Sequence, residues 1–350
     1  MTIPNVPESK RLLLEQLVDQ LRVIPGVAAI VLGGSYASGT HHAASDLDIG
    51  LYYWEATPFA ISTIKMIADN VASQGSATVT DFYAWGAWVN GGAWIHTAQG
   101  KVDFLYRNLD QVQRTLQEAQ QGIIRHDYGQ QPTHGFYSVI YLAETQICIP
   151  LYDPAEIITK LKQQVVTYPA RLKAKLVGDN LWSAEFSLLF ARDYAAKGDV
   201  YNTVGCLTRI TANLTQALFA LNERYFMRDK QVMTTIAAFA LLPAGYCEQI
   251  NTILGHPGNT ATELTVTVQQ LTQSWQSVVA LAGDLYQPKF QLSLLRRACH
   301  VPTQHRRFVG LTQSRSPIQS PLDDAPHPLP VELQRWLQAD HPGSGCVRHG

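Results

Sequence analysis

The chain has little of what marks several large classes of protein. Its five cysteines (Cys148, Cys206, Cys247, Cys299 and Cys346) are scattered with no Cys-x-x-Cys pair, so neither a zinc knuckle nor a disulfide framework is indicated. Charge is sparse and balanced: 27 Lys and Arg against 28 Asp and Glu, in 350 residues. No basic tract is present, which argues against a polymerase or any enzyme gripping a long nucleic acid. Long apolar runs are also missing, so no bilayer-spanning helix is expected. The start Met-Thr-Ile-Pro-Asn-Val-Pro has neither the cationic nor the apolar region of a signal peptide. The expectation is a cytoplasmic protein that does not engage membranes.

Hydrophobic residues make up 46% of the chain, enough for packed cores, and its length suggests two domains. The first 108 residues mix strand and helix signals. Apolar residues at Leu12, Leu13, Leu17, Val18 and Leu21 predict a helix over 9–23, stopped by Pro25-Gly26. Strands are expected at 27–32, 48–54, 77–89, 93–97 and 102–106, the last closing the sheet. A helix is expected over 57–72, with helices covering one sheet face and a hairpin turn at Asn90-Gly91-Gly92. From Leu109 onward the periodicity is helical. Helices are expected at 109–121, 136–149, 154–166, 170–226 (broken near Gly198-Asp199), 233–242 and 260–286. The expected organisation is an α/β (α+β) sheet domain over 1–108, then an all-helical bundle over 109–290. A Pro-, Ser-, Gln-, Arg- and His-rich tail over 301–350 reads as poorly ordered, apart from a short helix near 331–337.

The densest information lies in residues 32–48. An apolar strand ends in Leu32-Gly33-Gly34-Ser35, and after a loop Asp46 and Asp48 appear one residue apart between Leu47, Ile49 and Leu51. On a strand, residues i and i+2 share a face, so both carboxylates point one way while Leu47 and Ile49 point into a core. Adjacent carboxylates repel, and a divalent cation relieves that repulsion. The glycines permit close backbone approach, and with Ser35 they suit phosphate oxygens. Lys101-Val102-Asp103-Phe104-Leu105-Tyr106 is another alternating strand. If it lies beside the first, three carboxylates meet on one face, enough for two Mg²⁺ ions and in-line displacement at phosphorus.

In these three elements the chain resembles the nucleotidyltransferase superfamily with a DNA polymerase beta-like core. The resemblance covers roughly residues 25–108. It implies transfer of a nucleoside monophosphate from a nucleoside triphosphate, ATP being the expected one, to an acceptor hydroxyl, with release of pyrophosphate. Asp46, Asp48 and Asp103 would be the catalytic metal ligands for Mg²⁺, and Gly33, Gly34, Ser35 and Ser45 the nucleotide-binding residues. Many relatives carry Arg or Lys in the Gly-Ser loop, where this chain has Ser38 before Gly39. A basic residue from elsewhere must then meet the triphosphate. The two-domain layout also resembles enzymes that nucleotidylate small molecules such as aminoglycosides and lincosamides, which implies a small hydroxylated acceptor. The competing readings are a protein-AMPylating or antitoxin-like enzyme with a protein acceptor, and a nucleotide-binding protein without turnover. A homodimer with a shared site is compatible with each.

Other residues carry weaker signals. Glu144 could serve as a general base, but satisfaction by an Arg is the better expectation, and Glu185 and Glu223 read the same way. Asp199 is most simply a helix N-cap. Trp85, Trp88 and Trp94 could line an acceptor pocket, yet strands usually bury such residues. His41-His42 reads as an exposed loop pair.

Overall fold

The computed structural model describes residues 6–290, apart from 74, 76 and 132. The expected tail over 301–350 and its short helix lie outside the described residues.

The first half alternates strand and helix. Helix α1 (Glu8–Leu21) leads into β1 (Ala29–Leu32), a short helix α2 (Gly34–Ser38), β2 (Leu47–Tyr53) and α3 (Ile61–Val71). Strands β3 (Thr78–Val79), β4 (Gly92–Thr97) and β5 (Gly100–Asn108) follow, then α4 (Leu109–Gln120). A two-stranded ribbon of β6 (His126–Asp127) and β7 (Phe136–Tyr137) precedes α5 (Val139–Ile147), β8 (Ile149–Tyr152) and α6 (Ile157–Gln164). The rest is helical: α7 (Ala170–Ala196), α8 (Val200–Leu221), α9 (Val232–Ala237), α10 (Tyr246–Gly255) and α11 (Ala261–Ala282).

The main sheet has the order β3-β4-β5-β2-β1-β8. Only β2 and β5 run parallel. Alternation along these strands sorts the two faces. Leu47, Ile49 and Leu51 of β2, Val102, Phe104 and Tyr106 of β5, and Ala93 and Ile95 of β4 are buried in one core with α1 and α3. The opposite face starts a second core, in which Ala29, Val31 and Tyr52 pack with the helices from α4 to α11. Helices therefore flank both faces, not the single one expected.

Several expectations needed correction. The strand expected over 77–89 shrinks to Thr78–Val79, because Tyr83, Gly86 and Asn90 take positive φ values that a strand does not allow. Buried Asn90 holds the resulting turns, accepting from the Tyr83 N–H at 2.9 Å and donating to the Tyr53 hydroxyl at 2.9 Å. Strand β5 does not close the sheet; it lies inside it, between β2 and β4. The helix expected over 136–149 divides into β7, α5 and the edge strand β8. Pro150 in β8 has no N–H to donate, which an edge strand tolerates. The Gly-Gly-Ser segment is the start of a helical turn, α2, and helix α10 was not expected at all. The break at Gly198-Asp199 lies where expected, with Asp199 capping α8 through the Asn202 N–H at 3.0 Å.

Candidate active site

Residues Asp48 and Asp103 are direct partners in the parallel β2–β5 pair, so their side chains leave the same sheet face side by side. Asp46 sits just before β2 rather than on it and lines the same cleft. Across the cleft floor run Gly33, Gly34 and Ser35 at the start of α2. The cleft has a volume of about 980 Å³, at the upper end of the roughly 300–1,000 Å³ usual for ligand sites. Its other wall comes from the helical half: Glu144 of α5 and the segment Met227–Gln231 after α8.

The electrostatics are those of crowded carboxylates. Burial, reinforced by the charges of Asp103 and Asp46, pushes the Asp48 carboxyl up to about 6. Burial likewise raises Asp103, against the pull of Lys101. The Lys101 ammonium lies 2.8 Å from Asp103 Oδ2 and 3.7 Å from Asp46 Oδ2, so one internal cation already bridges two of the three acids. Among the described residues no group of three or more His, Cys, Asp or Glu side chains is placed to hold a metal ion. The other oxygen, Asp103 Oδ1, is buried with no hydrogen-bond partner. An unmatched buried carboxylate oxygen next to two further acids fits a divalent cation better than it fits an empty core.

The three residues of the Gly-Gly-Ser segment differ in their local roles. The Gly33 N–H is committed to the Asp48 carbonyl at 2.8 Å, so Gly33 serves the β1–β2 junction. Gly34 and Ser35 are the first residues of α2, where N–H groups have no acceptor within the helix. Gly34 is the stricter glycine: its φ is +58°, and an added Cβ would stand 1.7 Å from Asp48 Oδ2. Ser45 is buried and its hydroxyl accepts from the His42 N–H at 2.9 Å, so that oxygen supports the loop.

The weaker signals also resolve. Arg107 donates to Glu144 through Nε and Nη2, both at 2.8 Å, so the satisfied-carboxylate reading of Glu144 holds. Glu223 pairs with Lys173 at 2.8 Å. Glu185 is fully buried and accepts from the Tyr286 hydroxyl and from the N–H groups of Lys289 and Phe290. Trp88 stacks on Phe136 as a packing residue. Trp94 is the exception among these three tryptophans: it stays 47% exposed, stacked on Trp85, opposite Asp103 in the β4–β5 register. His42 is exposed, whereas the His41 ring stacks on Tyr36.

The cations of the cleft are not among the residues that the sequence singled out. Lys101, Arg228 and Lys230 all line the cleft, and Arg228 is close enough to favour the ionised form of Asp48. Lys101 had a readable signal, since on a strand it shares a face with Asp103. Arg228 and Lys230 had none, because only tertiary packing brings residue 228 to residue 48.

Residues 14–84 match the nucleotidyltransferase domain family. Over these residues the chain is similar to nucleotidyltransferase domains. The match includes the Gly-Gly-Ser segment, Asp46 and Asp48; Asp103 lies beyond it. Residues 140–230, carrying Glu144, Arg228 and Lys230, match a domain of unknown function, DUF4037. Residues of both matched regions thus line one cleft. Comparison with curated proteins found no match. Among solved structures, the chain is similar to the nucleotidyltransferase-like protein from Exiguobacterium sibiricum 255-15. The two share 9% identity and a TM-score of 0.40, over 79% of this chain and 77% of that one. Among the described residues no helix is long and apolar enough to cross a membrane.

Proposed function

We propose that the protein transfers a nucleoside monophosphate from a nucleoside triphosphate, ATP being the expected donor, to a hydroxyl of a small-molecule acceptor. The observation that carries this reading is the side-by-side placement of Asp48 and Asp103, beside Asp46 and facing the Gly34-Ser35 turn. Mg²⁺ held by Asp46, Asp48 and Asp103 would neutralise phosphate charge and make the acceptor hydroxyl more acidic.

The chain's own residues have distinct tasks. The free N–H groups at Gly34 and Ser35 bind phosphate oxygens. Arg228 and Lys230 provide from the helical half the positive charge that the Gly-Ser loop lacks. The acceptor oxygen forms a bond to the α-phosphorus, the bond to pyrophosphate breaks, and the hydroxyl proton passes to Asp103. Burial, which favours the protonated carboxyl, suits Asp103 to that role. Arg107 keeps Glu144 paired, so Glu144 shapes the wall and takes no proton.

A cleft of about 980 Å³ and a net charge of -1 favour a small acceptor over a long nucleic acid. Incubation with Mg²⁺-ATP, a pool of hydroxylated small molecules and lysate proteins, followed by mass spectrometry, tests this. A small molecule heavier by one AMP supports the reading. Modification confined to proteins overturns the acceptor assignment.

A further inference from the structure

Lysine is seldom buried without an acidic partner, because its ammonium loses hydration in a core. Lys10 of α1 is only 5% exposed. It lies on the apolar face of the helix, in register with Leu13, Leu14 and Leu17. Its Nζ donates to the backbone carbonyls of Ala43, at 3.1 Å, and Ser45, at 2.5 Å. The same ammonium sits 5.7 Å from the centre of the Tyr36 ring in α2, within reach of a cation–π attraction. Its stem runs along Gly100, where an added Cβ would lie 3.5 Å from both Cε and Nζ.

These contacts join the 36–45 region to Gly100, which the sequence keeps far apart. Tyr36 follows the phosphate turn, Ser45 immediately precedes Asp46, and Gly100 immediately precedes Lys101. Asp46 lies outside β2, so no strand ladder fixes its backbone. Its placement depends on the loop that leads to it.

We propose that Lys10 is a positioning residue of the active site, clamping the Ala43–Ser45 segment so that Asp46 reaches the cation and nucleotide. This rests on the reading of Asp46 as a metal ligand. A lysine that only filled a core position would be replaceable by an apolar side chain of equal length. A clamp would not, since Met offers no donor to the two carbonyls and frees the loop.

The test uses the full chain as wild type, Lys10→Met, Lys10→Arg and Asp46→Asn, and the Lys10→Met/Asp46→Asn double variant. Amide hydrogen exchange, which needs no ligand, is read first. In Lys10→Met, exchange in 40–46 is expected to speed at least tenfold while α1 keeps its protection. Unchanged exchange there overturns the clamp. Mn²⁺ binding, followed by electron paramagnetic resonance with a non-hydrolysable ATP analogue, is read second. Lys10→Met is expected to weaken it about tenfold, with partial recovery in Lys10→Arg and no further loss in the double variant beyond Asp46→Asn. Additive losses would overturn action through Asp46. If wild type binds no Mn²⁺ while the exchange effect is present, the metal reading fails and the loop clamp stands. Should Lys10→Met not fold, Lys10→Gln, whose shorter side chain cannot serve both carbonyls, is measured instead: exchange in 40–46 is expected to speed several-fold, and unchanged exchange there overturns the clamp.

Discussion

Asp48 and Asp103 occupy the same level of two parallel neighbouring strands, where two like charges are held closest by backbone pairing alone. Such a pair persists only if something lowers its repulsion. In this structure Lys101 meets Asp103, while burial, reinforced by the charges of Asp103 and Asp46, makes Asp48 hold its proton more tightly. A divalent cation would relieve the remainder.

The first prediction concerns stability and metal. Asp48→Asn removes one repelling, half-desolvated charge, so the metal-free variant should be more stable than wild type by about 1 kcal/mol. Wild type should gain roughly 2.7 kcal/mol when Mg²⁺ and a non-hydrolysable nucleotide reach a hundred times their apparent Kd, and the variant should gain little. Thermal unfolding with and without EDTA measures both.

The pH dependence follows from the raised Asp48 carboxyl. Unfolded, that group titrates near 3.8; folded and metal-free, near 6. Between these values the folded state keeps a proton that the unfolded chain has released, so its contribution to stability falls as pH rises. The slope is at most about 1.4 kcal/mol per pH unit. Denaturant titrations in EDTA at pH 4 to 6.5 should show wild type losing stability relative to Asp48→Asn. With saturating Mg²⁺ the sign should reverse, since the cation prefers the ionised carboxylate.

Gly33 and Gly34 should respond differently to alanine. A Cβ at Gly33 meets Asp48 at 3.7 Å, an ordinary contact, whereas at Gly34 it meets Asp48 Oδ2 at 1.7 Å and carries a positive φ. Gly34→Ala should cost about 1–2 kcal/mol in backbone strain alone and displace Asp48, abolishing nucleotide-dependent metal binding. Gly33→Ala should retain it. Calorimetric titration of each variant distinguishes them.

Arg107 and Glu144 form a buried pair whose halves are unequal: the arginine side chain is 6% exposed and the glutamate 29%. Removing the partner of the deeper charge is the worse loss. Glu144→Ala should therefore destabilise by about 3 kcal/mol or more, and Arg107→Met by less, in urea unfolding. A Glu144→Gln variant that folds should keep its dependence of turnover on pH, because Glu144 accepts no proton in the reaction.

Arg228→Ala and Lys230→Ala should each raise KM for the nucleoside triphosphate about tenfold, the loss of one charge-assisted contact, with kcat less affected. Both effects should shrink at high salt. Steady-state kinetics at two ionic strengths checks this.

What the sequence disclosed followed from local rules. Alternation around Asp48 and Asp103 gave the facing of both strands, and the apolar flanks at Leu47, Ile49, Val102 and Phe104 gave the core face. Helix periodicity located α7, α8 and α11. Two kinds of feature stayed hidden. Segment 80–91 has the aromatic content of a strand, yet Asn90, by bonding Tyr53 and Tyr83, folds it into turns. Edge strand β8 gains its identity only from pairing with β1. The cleft cations Arg228 and Lys230 come from nearly two hundred residues away and are named by packing alone. Lys10 was not singled out in the sequence, although its place on the apolar face of α1 is where a lysine asks for a buried acceptor.

The most direct test of the central claim is pyrophosphate release from Mg²⁺ and each of the four nucleoside triphosphates in the presence of hydroxylated acceptor pools, comparing wild type with Asp48→Asn and Asp103→Asn. Acceptor-dependent release is expected from wild type, with a fall of at least ~100-fold in both variants. Release in either variant within a few-fold of wild type, or none from wild type with any nucleotide and pool, would contradict it.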